Sequence, residues 1–115
     1  MNITEQVNVT KKDIFNAKSG SISVKDVLGE QIIATGAFIA KDEGVRKGSG
    51  EVCDIGYIVT DKGVVGFSSE VALKAMPDFI DYLTDETASP DFSGVPISFD
   101  EHDGKAGKFY TFSLI

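Results

Sequence analysis

"QIIATGAFIAKDE", residues 31–43, is the stretch that decides the fold. Its β-branched, aromatic and small apolar residues fall on both alternating faces. A strand of that kind is buried on both sides and therefore central in its sheet. Gly36 inside it marks a bulge or bend. Beyond a basic loop, "GVRKGSG" (44–50), a second strand follows in "EVCDIGYIVT" (51–60). There Cys53, Ile55, Tyr57 and Val59 share one face, and Val52, Asp54, Gly56 and Ile58 the other. "DKG" (61–63) reads as a hairpin turn in which Gly63 takes the left-handed conformation, and "VVGF" (64–67) returns.

Toward the C-terminus, "SSEVALKAMPDFIDYLT" (68–84) carries the one long helical pattern. Ser68 or Ser69 caps it, and Ala72, Met76, Phe79, Ile80 and Leu83 form its apolar stripe. Pro77 predicts a kink, or two short helices with Pro77 opening the second. A loop (85–94), a strand (95–101), a turn (102–107) and a last strand (108–115) complete the chain. Toward the N-terminus, "SVKDVLGE" (23–30) is one helical turn capped by Ser23, with Val24, Val27 and Leu28 inward and Gly29 ending it. "DIFNAKSG" (13–20) reads as a short strand, and residues 1–12 as a loosely held arm or an edge strand. The order from residue 31 is strand, strand, strand, helix, strand, strand. The expected fold is mainly β: an OB-fold-like small barrel over residues 13–115, with one kinked helix between strands three and four. Short strands joined by tight turns suit a barrel that hides its edges.

The 115 residues suffice for one domain. The single cysteine, Cys53, leaves no intramolecular disulfide and fits a reducing compartment. No apolar run approaches a membrane span, so a soluble, cytosolic protein is expected. A net charge of −7 disfavours binders that neutralise many duplex phosphates. It leaves room for a binder that works by stacking, with a few lysines placed locally.

No motif argues for an enzyme. His102 is the one histidine and lies in a polar turn, no serine stands in a nucleophile elbow, and one histidine with one cysteine makes no metal site. Asp78, Asp81 and Asp85 read as a solvated helix face. "GKAGK" lacks the spacer and following helix of a phosphate-binding P-loop. Neither a metal nor another cofactor is expected.

The closing "HDGKAGKFYTFSLI" (102–115) carries the functional question. Alternation puts Tyr110, Phe112 and Leu114 inward and Phe109, Thr111, Ser113 and Ile115 outward. Phe109 is either a covered surface aromatic or a ring for base stacking, flanked by Lys105 and Lys108 for phosphates. Phe38, Tyr57 and Phe67 lie on three consecutive strands, and the face of the second and third is where OB barrels hold oligonucleotides. Phe38 and Tyr57 are equally readable as core. Phe67, at a strand end, is the one expected to be exposed. Arg46, Lys47 and Lys62 add cations from two loops.

"IFNAKSG", "GEQIIATGAFIAK", "TDKGVVGFSS", "DFIDYL" and "GKFYTFSL" together resemble the single-stranded DNA-binding proteins of small tailed phages that replicate by protein priming. The order and spacing correspond from about residue 13 to the end. The resemblance implies an OB-fold protein of the host bacterial cytoplasm that coats displaced single strands during phage DNA replication and melts residual hairpins. Single-stranded DNA would be its partner, with phage replication proteins and weak self-association as further contacts. It implies stacking by Phe67, which falls where the family carries an aromatic. Near Ala40 and at Gly44–Arg46 the family has aromatics and this chain has none, so Phe38, Tyr57 and Arg46 stand in as inferred substitutes. The alternative is an acidic small-barrel protein-interaction module that binds no nucleic acid.

Overall fold

Residues Ile32–Glu43 form the strand on which the other elements are assembled. The computed structural model of the chain describes residues 2–43, 52–105 and 107–115. In chain order the described elements are β1 (Asn2–Val7), α1 (Lys11–Gly20), β2 (Ile22–Ser23), a 3-10 turn (Val24–Asp26), β3 (Ile32–Glu43), β4 (Val52–Thr60), β5 (Gly63–Phe67), α2 (Glu70–Thr87), β6 (Val95–Gly104) and β7 (Gly107–Leu114). The strands make one sheet in the order β2-β5-β4-β3-β6-β7, with β1 paired to β3 off that path.

β3 is central for the reason its composition implies. It pairs with β4 on one edge, and with β6 and then β1 along the other. Its residues 36–40 are all buried. The expected irregularity at Gly36 is present as a register shift against β4 between Ala34 and Gly36. Glycine is required there by a close approach: a Cβ on Gly36 would sit 2.5 Å from the Asn8 carbonyl oxygen, where the chain leaves β1. The sheet curls into an open half-barrel, and in the chain α2 stands between β5 and β6.

Two apolar clusters lie on opposite faces. The larger, inside the curl, holds Ile32, Ile58, Val65, Phe67, Ile97 and Phe99 under the α2 stripe. All five residues expected in that stripe are buried. Four phenylalanines interlock here: Phe112 lies 5.0 Å from Phe79, 5.7 Å from Phe99 and 6.0 Å from Phe67 between ring centroids. The smaller cluster joins Phe38, Ala40, Tyr57 and Val64 to Ala17 of α1, with Ile55 and Val59 packed against it. The face assignment on β4 is thereby realised: Ile55, Tyr57 and Val59 on one side, Ile58 on the other.

Several expectations are corrected. Residues 13–20 are helical, so the described residues hold two α-helices rather than one. The signal was a capping box. The Asp13 amide donates to Thr10 Oγ1 at 3.2 Å, and the Thr10 amide donates to Asp13 Oδ2 at 2.9 Å. With only Ala17 of α1 buried, the apolar periodicity was too faint to register. Of the two readings of residues 1–12, the edge strand is realised, as β1. α2 is not split at Pro77 but runs through it. Pro77 is exposed, so water can reach the carbonyl its missing amide leaves free. β6 extends into the expected turn, which places His102 on a strand. Leu114, expected inward, is 47% exposed as the last residue of β7. The turn at Ser23–Asp26 matches expectation, with Val24 and Val27 buried and the Lys25 amide donating to Ser23 Oγ.

Candidate nucleic-acid interface

The β6–β7 hairpin is long because its two strands pair from Ile97↔Leu114 out to Gly104↔Gly107. That places Lys105 at its tip. Inward of the tip, His102 stands opposite Phe109 and Asp103 opposite Lys108. His102 and Phe109 stack, with ring centroids 5.1 Å apart and planes 20° from parallel. His102 Nε2 also lies 2.9 Å from the Thr111 hydroxyl in a hydrogen bond. The ring of Phe109 is thus held in place while remaining half-buried.

The hairpin faces the end of β5 and the start of α2. Ser69 precedes α2 but does not cap it with its side chain. Its hydroxyl instead donates to the Tyr110 carbonyl at 3.3 Å and accepts from the Tyr110 amide at 3.4 Å. This bridge ties the end of β5 to β7, two strands that no described ladder connects. Beside it opens a cleft of about 710 Å³. Its lining includes Lys25, Phe67, Glu70, Lys105, Lys108, Phe109 and Tyr110. Three lysines therefore face one lining carboxylate in a chain of net charge −7. Glu70 is itself drawn to Lys74, 3.9 Å away on α2. The uncapped first turn of α2 adds the positive end of a helix dipole to the same space.

One further carboxylate tunes the cleft. Glu101 pairs with Lys108 at 3.0 Å. The hydrogen bond from Lys108 holds the Glu101 carboxyl below its ordinary value. Partial desolvation opposes this, while the Lys108 charge, a Tyr110 hydrogen bond and the Lys25 charge reinforce it. The same hydrogen bond and the Glu101 charge raise Lys108.

Of the residues singled out from the sequence, Lys105, Lys108 and Phe109 come together in this cleft. Phe67, Phe38 and Tyr57 do not offer free faces. Phe67, expected to be exposed, is 6% exposed, and only its margin reaches the cleft. Its ring folds inward across Gly56, its ladder partner, where any Cβ would approach it to 2.5 Å. Phe38 and Tyr57 do stack, but on each other at 4.7 Å, under α1. A base needs an open ring face, so the expectation that these three provide one is corrected. Lys62 is exposed at the β4–β5 turn, at the far end of β5 from the cleft. Arg46 and Lys47 lie outside the described residues. Sequence reading missed Lys25 and Tyr110. Lys25 had one local signal: it sits between buried valines on a capped turn, so it has to point outward.

Among the described residues no group of three or more metal-ligand side chains gathers, and no helix is long and apolar enough to cross a membrane. Comparison with known protein families, curated proteins and solved structures produced no match.

Proposed function

We propose that the chain binds single-stranded DNA without sequence preference, in the cleft between the β6–β7 hairpin and the start of α2. The observation that carries this is the gathering of Lys25, Lys105 and Lys108 around Phe109 and Tyr110 in an otherwise acidic protein. Lysines attract phosphate, and a ring accepts any base because every base has a π-face. Unpaired bases alone present such faces, so single strands are preferred to duplexes. Coating of displaced strands during phage replication, as the sequence resemblance implies, is a role such binding would serve.

Oligo-dT titration followed by tyrosine fluorescence tests the reading, since Tyr110 lines the cleft and the chain has no tryptophan. Phe109→Ala is expected to weaken binding by about 1–3 kcal/mol while leaving the thermal melt nearly unchanged. Wild-type protein that neither quenches nor shifts the oligonucleotide on a gel at low salt would defeat the proposal.

A second reading, an acidic module that docks a basic partner, is favoured by the exposed Asp78, Asp81 and Asp85 on α2. It predicts no response to oligo-dT.

A further inference from the structure

α1 is the exception to the acidic character of the chain. It carries Lys11, Lys12 and Lys18 against one carboxylate, Asp13, which is engaged in the Thr10 capping box. Phe15 in its middle is 69% exposed, the most exposed large apolar side chain among the described residues. At 3.6 residues per turn, Lys18, Lys11, Phe15 and Lys12 fall within an arc of about 120°. Ala17, which packs onto the sheet, lies on the opposite side. None of the three lysines makes an ion pair with a described residue. Core packing gives no reason for a phenylalanine there, and no carboxylate partner accounts for the lysines.

α1 leads into the rim of the cleft. α1 ends at Gly20, and Ser21 packs so tightly on Gly66 that a Cβ at Gly66 would sit 2.6 Å from its hydroxyl. Gly66 and Ser23 both line the cleft, and they are ladder partners. The step from the end of α1 to Ser23 is three residues, no more than about 10 Å of chain.

We infer that the exposed face of α1, built on Lys11, Lys12, Phe15 and Lys18, is a second contact for the same polynucleotide, taking the length of strand that leaves the cleft past Ser23. The inference rests on the proposed cleft function and adds a second stacking ring and three phosphate contacts to it. An uncharged apolar partner would leave the lysines idle, and a purely anionic partner without apolar or aromatic groups would not need the ring. A strand of phosphates and bases uses both.

The test compares two oligo-dT probes, of about 4 and about 16 nucleotides, the ends of the usual range for one barrel. The variants are Phe15→Ala and the triple change Lys11→Ala, Lys12→Ala, Lys18→Ala, each checked by thermal melt. On the long probe the triple variant is expected to flatten the slope of log affinity against log salt by about 2. Phe15→Ala is expected to weaken long-probe binding about 5- to 150-fold. Binding of the short probe, which fits the cleft alone, should not change in either variant. Unchanged long-probe binding in both variants overturns the inference, and so does an equal loss on the two probes, which would mean that α1 acts through the fold. Wild-type protein that binds neither probe would instead sink the cleft reading itself.

Discussion

At Glu101 one carboxylate meets Lys108, Lys25 and the Tyr110 hydroxyl, and it competes with any phosphate for the same cations. Glu101→Gln is therefore expected to tighten oligo-dT binding, because Lys108 no longer has to leave a carboxylate to meet a phosphate. The pH dependence follows from the directions of the two shifts. Glu101 is lowered on folding, so the pair's stabilisation is present above the ordinary carboxylate value and is lost as pH falls through the lowered one. Lys108 is raised, so its part is present below the ordinary lysine value and is lost as pH rises through the raised one. Lys108 is well exposed and Glu101 partly so, and solvent screening keeps the effect on stability small. Binding shows it better: affinities of wild type and Glu101→Gln should differ at neutral pH and converge in acid, once Glu101 is protonated. Phe67 makes the contrasting case. Packed with Phe99 and Phe112, it should cost about 3–5 kcal/mol on truncation to alanine, read by urea denaturation. A stacking ring would instead have lost binding and kept stability.

Among the elements, α2 owes its position to an apolar stripe and continues past a residue that opposes it. Pro77 removes one helical hydrogen bond, and its side chain lies on the exposed face. Pro77→Ala restores a donor for the Leu73 carbonyl. It is expected to stabilise the protein by about 1–3 kcal/mol, somewhat reduced by the extra freedom of the unfolded chain, with the change read from thermal unfolding by circular dichroism. α2 was legible because its stripe repeats with helical period over several turns. α1 was not, because it is short, buries one alanine and displays its phenylalanine outward, so its pattern resembles that of a strand. The capping box was the local signal available.

Across the whole molecule, charge is distributed against its sum. The chain carries −7, yet the cleft margin is lysine-rich. With about three phosphate contacts from the cleft, log affinity for a short oligo-dT should fall with log salt at a slope near −2. Duplex of the same length should bind far more weakly in the same titration, because its bases are already stacked and the rest of the surface repels it. Parity along β4, the hairpin at Gly63, the centrality of β3 and the α2 stripe were all determined by the sequence itself, since each is a repeat or turn spanning neighbouring residues. Tertiary structure alone decided which rings face solvent. Phe67 turned inward because its partner across the ladder is Gly56, and Phe38 and Tyr57 were roofed by a helix from elsewhere in the chain. It alone also brought Lys25 to Lys105 and Lys108, because a charged cleft is a property of segments that meet only when the sheet curls.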